Sequence, residues 1–148
     1  MNNPIPTVGV LIFNGDKVLL VCHKKEAEHI SDTFGLPAGR VQEGETEKGA
    51  ARRELEEEAG LTVLEKDLIE LPTVYTGPIE RKNGVQVFSY KIFLGSFYSG
   101  ILLESEESKP EWVALSDLNK YNLLPNIEKI VEEGLAIQIG RASCRERV

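Results

Sequence analysis

The stretch GRVQEGETEKGAARRELEEEAGL, Gly39 to Leu61, sets a glycine-containing turn ahead of a segment where arginines and glutamates crowd together. Thr46 reads as a helix N-cap with Glu47 in the first turn, and Gly60 as the stop, so the spacing predicts a helix over 46–59. On such a helix Ala51, Leu55 and Ala59 form an i, i+4, i+8 stripe toward the core, while Lys48, Arg52 and Glu56 point to solvent. Glu54, Glu57 and Glu58 then share an arc of roughly 100°, flanked by Arg53, and Glu56 is left out of it. Like charges along one helix edge destabilise it unless a counter-charge is present. A solvated acidic face is the ordinary reading of a glutamate run. Beside a glycine turn, however, an oxygen-rich edge suits a hard cation such as Mg2+ or Mn2+, which completes its shell with water and substrate phosphates.

Outward from this helix the chain alternates between β and α signals. Thr7 to Phe13 and Lys17 to Cys22 are apolar, β-branched runs separated by Asn14-Gly15, a hairpin signal because both residues tolerate positive φ. Asn83-Gly84 repeats it between LPTVYTGPIERK and VQVFSYKIFLG, predicting a second, longer hairpin. A short strand over Thr33 to Leu36 leads into Pro37-Ala38-Gly39, read as a turn, and a second helix is expected over Asn126 to Leu135, after Pro125. These elements predict one α+β domain, a mixed sheet with helices packed on it.

The 148-residue length suits a single core, and no apolar run approaches a membrane span. MNNPIPTVGVLIF lacks a basic opening and a small-residue cleavage site, so a cytoplasmic protein is expected. The net charge of −7 argues against a nucleic-acid or anionic-membrane partner, because a polyanion would be repelled unless metal ions intervened. Cys22 and Cys144 form no disulfide framework, and neither they nor His23 and His29 have a zinc-ligand spacing. The ending IGRASCRERV changes composition abruptly and resembles a translated sequencing adapter. Ile139 to Val148 is therefore read as a non-native tail with no role in fold or function, which leaves residues 1–138 as the domain, more acidic still.

The stretch Gly39 to Leu61 resembles the Nudix box, Gly-x5-Glu-x7-Arg-Glu-U-x-Glu-Glu-x-Gly-U with U a bulky aliphatic. Gly39, Glu45, Arg53-Glu54-Leu55, Glu57-Glu58 and Gly60-Leu61 fill every fixed position, and a match at fixed spacing is far more specific than a short glycine motif. The resemblance implies an α/β/α sandwich around a mixed sheet, and a hydrolase that cleaves a pyrophosphate bond in a nucleoside diphosphate derivative. It implies a Mg2+ or Mn2+ cofactor that bridges enzyme and substrate, neutralises transition-state charge and acidifies the attacking water. By the same resemblance Glu57 and Glu58 are the principal metal ligands, Glu54 is a further ligand or the general base, Arg53 orients a carboxylate, and Glu45 supports the site from its loop. Ala38 departs from the commoner Gly-Gly but keeps the backbone carbonyl that would serve as a ligand.

Outside the box, LLESEESKPEW resembles a segment of oxidised-purine triphosphatases and points to Glu107 as a further metal ligand, with Glu104 and Glu106 as competitors and an acidic surface loop as the plain alternative. Asn126 is a candidate for reading a purine edge, although an N-cap for the last helix explains it as well and is the favoured reading. Trp112 and Tyr121 are read as core packing in preference to base stacking. Selectivity is expected in three loops, His23 to Thr33, Tyr75 to Val85 and Glu104 to Pro125. A nucleoside triphosphate, in canonical or oxidised form, is the favoured substrate. ADP-ribose or a nucleotide sugar is the alternative, and a noncatalytic nucleotide-sensing domain of the same fold is a third reading.

The helix geometry separates two neighbouring residues. Glu57→Gln is expected to lose most metal-dependent turnover and Glu56→Gln to retain it; equal losses would mean that the helix face is misplaced.

Overall fold

A computed structural model of the chain describes residues 3–23, 33–81 and 84–146. The elements run β1 (Ile5–Leu11), β2 (Phe13–Asn14), β3 (Lys17–His23), β4 (Phe34–Gly35), β5 (Ala38–Arg40), α1 (Glu47–Ala59), β6 (Leu68–Arg81), β7 (Gly84–Gly95), β8 (Ser108–Ala114) and α2 (Ile127–Glu146), with 3-10 turns at Glu65–Asp67 and Leu115–Lys120. The first sheet has the order β5-β1-β7-β6, with β1 and β7 parallel and the other neighbours antiparallel. In the second, wholly antiparallel sheet β3 pairs with β2, β4 and β8.

The alternation of β1 and β3 divides the core into two layers. Val8, Val10, Ile12 and Leu19 pack with Ala50, Ala51, Leu55 and Ala59 of α1. Leu11, Phe13, Val18 and Leu20 face the other way, toward Ile127, Ile130 and Val131 of α2. Helices therefore cover both faces of the sheets, as the period-2 strands and the apolar stripe of α1 require. Leu55 has no exposed surface, and its burial contributes about 2 kcal/mol to holding α1 in place.

Both ends of α1 agree with the sequence. Thr46 Oγ1 accepts a hydrogen bond from Gly49 N at 3.0 Å, and Gly60 adopts the left-handed φ of 79° that closes the helix. Elsewhere the structure revises the reading. The run Thr7 to Phe13 is two strands serving two sheets, because the chain leaves the ladder at Ile12, whose carbonyl accepts from Leu19 N. Asn14 pairs with Lys17, so Gly15 and Asp16 make the tip, and only Gly15 has positive φ, at 59°. Asn83 lies outside the described residues, but the strands it was expected to join do pair, from Leu68↔Gly95 to Arg81↔Gly84. This hairpin occupies the Tyr75 to Val85 segment that was read as a loop.

Ala38 to Arg40 forms strand β5 against β1 instead of a turn. Ser108 to Ala114, expected within a loop, is strand β8; among the described residues it pairs with β3 alone, an edge position where Pro110 is tolerated. The second helix continues past Leu135 to Glu146, since AIQIGRASCRE contains good helix formers and no proline. Among the described residues no helix is long and apolar enough to cross a membrane.

A polar clasp fastens α2 to the edge strand β6. Tyr75 Oη donates to Glu133 Oε2 at 2.9 Å, and Thr73 N donates to Glu133 Oε1 at 3.2 Å. Burial pushes the Tyr75 hydroxyl up to about 12, aided by the neighbouring carboxylate. For Glu133 burial pulls upward, but the Thr73 and Tyr75 hydrogen bonds outweigh it and hold the carboxyl below its usual value. A lowered carboxylate contributes stability above its unfolded value and loses it as pH falls through the folded one; the raised tyrosine contributes below 10 and loses it toward 12. Tyr75→Phe is expected to cost about 1 kcal/mol in urea melts at pH 7, with the deficit shrinking in acid below the carboxylate range. A deficit independent of pH would assign the loss to the hydroxyl's contact with the uncharged Lys129 carbonyl, at 3.4 Å.

Candidate active site

The carboxylate edge of α1 is organised by one guanidinium. Arg53 Nε and Nη2 form a two-pronged pair with Glu45 at 2.7 and 2.9 Å. Nη1 donates to Glu54 at 2.7 Å and to Glu57 at 3.3 Å, and Nη2 also donates to the Arg40 carbonyl at 3.1 Å. Glu45 is in turn tied back to its own loop by Gln42 N at 2.9 Å. The hydrogen bond from Arg53, followed by that from Gln42, holds the Glu45 carboxyl below its usual value. Hydrogen bonding to Glu45 likewise raises Arg53, so the pair stays ionised.

Glu54 and Glu58 are in the opposite state. Burial raises both, Glu58 well above the ordinary carboxylate range, and the neighbouring Glu54 charge adds to the rise at Glu58. Ala38 N donates to Glu58 Oε1 at 3.0 Å, linking β5 to the last turn of α1. Gly39 is the adjoining close approach: a Cβ built there would fall on the Glu54 carboxylate, so a larger residue would displace that carboxylate from its place beside Arg53. Ala38 has no left-handed φ, so replacing the commoner glycine costs no strain at this strand position.

Glu54, Glu57 and Glu58 line a cavity of about 440 Å³ together with Ala38, Gly39, Arg40 and Glu107. Of the residues considered from sequence, Glu107 enters this lining, whereas Glu104 and Glu106 do not. Glu45 and Arg53 stand behind the wall and act on it through Glu54 and Glu57. Glu56 turns outward, paired with Arg52 at 3.6 Å. Asn126 is outside the lining, between Pro125 and Ile127, which belong to it. Its side chain does not cap α2: it has φ 70° and donates from Nδ2 to the Thr76 carbonyl at 3.1 Å, fixing the start of α2 on β6. Trp112 packs beside Tyr98 with ring centroids 5.6 Å apart, and Tyr121 packs edge-on against Phe34 at 4.9 Å; neither lines the cavity.

The aromatic wall comes from elsewhere. Phe88 and Tyr90, on one face of β7, line the cavity opposite Leu124, Pro125 and Ile130. Their i, i+2 spacing in VFSYKI was the available signal, hidden because this strand alternates toward a cavity instead of toward water. Most of the His23 to Thr33 segment lies outside the described residues.

The donor set fits a hard divalent cation: the carboxylates of Glu54, Glu57, Glu58 and Glu107 share the lining, and among the described residues it includes neither sulfur nor imidazole. As the side chains stand, no group of three acidic, histidine or cysteine residues among the described residues encloses an ion. Glu54 and Glu57 are turned to Arg53, and Glu58 to Ala38 N.

A profile of the NUDIX domain matches residues 3–134. The chain belongs to the NUDIX domain family. It is 32% identical over 132 residues to the ADP-ribose pyrophosphatase of Methanocaldococcus jannaschii, covering 88% of this chain and 73% of that one. It is 35% identical over 88 residues to the mouse oxidized purine nucleoside triphosphate hydrolase, covering 60% of this chain and 53% of the mouse protein, so the match spans about half of that relative. Among solved structures, the MutT NUDIX hydrolase from Burkholderia pseudomallei superposes with TM-score 0.72 at 27% identity, covering 89% of this chain and 98% of that one. The MutT protein of Methanosarcina mazei Go1 gives TM-score 0.75 at 20% identity, covering 93% and 98%, a likeness of fold. The NUDIX fold expected from the box is therefore present.

The raised carboxylates carry a sign that can be measured. A carboxyl whose folded value is raised contributes stability fully below its ordinary value of 4.5 and loses it as pH rises through the folded value. Metal-free protein is expected to melt lower at pH 8 than at pH 5. Glu58→Gln, which can still accept from Ala38 N, should melt above the parent at pH 8 and flatten the profile. Parallel pH profiles for parent and variant would remove the burial penalty assigned to Glu58.

Proposed function

We propose that the chain hydrolyses a pyrophosphate bond in a nucleoside diphosphate derivative, with Mg2+ or Mn2+ as cofactor. The favoured substrate is a nucleoside triphosphate, canonical or oxidised, released as monophosphate and pyrophosphate. The observation that carries this reading is that Glu54, Glu57 and Glu58 line one cavity that aromatic and aliphatic residues also line. A polyphosphate needs cations, which the carboxylates can hold, and a base needs apolar surface.

Glu57 and Glu58 would hold the cation, with Glu54, Glu107 and the Ala38 carbonyl as further ligands. When bound, the cation supplies charge neutralisation at phosphorus and lowers the pKa of the attacking water. Glu54 is the residue best disposed to take the proton from that water, since burial raises its carboxyl and makes it more basic while Arg53 fixes one of its oxygens. Arg53 and Glu45 hold this carboxylate in place. Arg40, which belongs to the lining, would be a cationic contact for the polyphosphate. Phe88 and Tyr90 would flank the base, and Asn126, at the rim, would read its edge if its bond to Thr76 were exchanged. The substrate is a small molecule, and neither nucleic acid nor membrane is assigned as a partner.

ADP-ribose is the second reading, supported by the Methanocaldococcus relative, whose match extends over most of this chain. Phosphate and pyrophosphate release with Mg2+ or Mn2+ discriminates among canonical and oxidised nucleoside triphosphates, ADP-ribose, nucleotide sugars and dinucleoside polyphosphates, with Glu57→Gln as the blank. Metal-dependent turnover of triphosphates, absent in the blank, is expected. Turnover of ADP-ribose alone would establish the second reading. Nucleotide binding without turnover would make the domain a sensor.

A further inference from the structure

The last turn of α1 leaves carbonyls that the helix cannot satisfy itself, and the segment before β8 takes two of them. Leu103 N donates to the Ala59 carbonyl at 2.9 Å, and Ser108 Oγ donates to the Glu58 carbonyl at 3.1 Å. Residues 104–107 are thus strung between two clamps on the end of the helix that carries the carboxylates. Inside the clamps a hydroxyl pair fixes the turn. Ser105 Oγ accepts from Glu107 N at 3.3 Å and from Ser108 N at 3.1 Å, and lies 2.9 Å from Ser108 Oγ. The Ser108 proton is committed to the Glu58 carbonyl, so Ser105 donates in the hydroxyl contact, and its two acceptor sites and single donor are all used. Ser108 is 1% exposed, which makes this bond costly to break.

The consequence is selective. Of the three glutamates in this segment only Glu107 lines the cavity, and it is the one whose backbone N–H the Ser105 hydroxyl holds. We propose that Ser105 and Ser108 are positioning residues, whose hydroxyl pair registers Glu107 against the carboxylate edge of α1 and thereby sets the metal affinity of the site. The inference rests on the assignment of Glu107 as a metal ligand given under Proposed function. A loop staple with no functional role would also join these atoms, but it would leave metal affinity unchanged.

The test is Mn2+ binding to the full chain without nucleotide, followed by electron paramagnetic resonance of free Mn2+, with thermal melts as the folding control. Ser108→Ala and Ser105→Ala are expected to weaken Mn2+ binding about tenfold, the size typical of an outer-shell partner. Glu107→Gln should do at least as much, and Ser108→Ala combined with Glu107→Gln should be no worse than Glu107→Gln alone. Ser105→Thr, which keeps the hydroxyl, should restore affinity. The half-buried Ser105→Ala carries the test if Ser108→Ala fails to fold. Wild-type Mn2+ affinity in the serine variants, or losses that add to that of Glu107→Gln, would overturn the proposal while leaving Glu107 as a ligand. Wild-type affinity in Glu107→Gln itself, with a loss in Glu57→Gln, would overturn the Glu107 assignment and the proposal with it.

Discussion

A guanidinium offers five N–H donors, and Arg53 has all of them committed: two to Glu45, one each to Glu54 and Glu57, and one to the Arg40 carbonyl. One cation thereby joins the loop before α1, strand β5 and two successive turns of the helix. Lysine could not replace it, because a point charge cannot hold Glu45 from two sides while reaching the helix edge. The carboxylates are gathered where they would otherwise disperse, and Gly39 lets the strand approach near enough to complete the wall.

This arrangement leaves charge deliberately unbalanced. Glu45 and Arg53 form an ionised pair, whereas Glu54 and Glu58 are partly desolvated and resist ionisation. A metal-free site of this kind costs folding free energy at neutral pH, and a divalent cation with its phosphate ligands would offset it. The apolar contact of Leu55 and the alanines beside it with β1 and β3 supplies the stability against which that cost is set.

The sequence was most readable where a local rule and a long-range requirement coincide. Thr46 and Gly60 mark the ends of α1 because capping is decided within a few residues, and the stripe Ala51, Leu55, Ala59 sorted Glu57 from Glu56 by geometry alone. The strand boundaries were harder. Ile12 leaves one sheet for another, a decision made by partners distant in the chain. The loop expected over Glu104 to Pro125 contains β8, whose pairing with β3 is decided by residues about ninety positions earlier in the chain. Asn126 looked like a cap by its place after Pro125, yet its side chain answers to Thr76 on β6. Phe88 and Tyr90 were overlooked as site residues because alternation in a strand says which residues share a face, and not whether that face meets a helix or a cavity.

The parallel pairing of β1 with β7 brings Ile5 beside Phe88. Such a contact closes a long loop, and its entropic cost falls due before any reward from packing. The capped helix α1 can form from its own sequence, whereas the cavity floor exists only after β7 has emerged and found β1. The carboxylate edge is a local product of the chain and the cavity it lines a long-range one, so the two depend on different steps of folding.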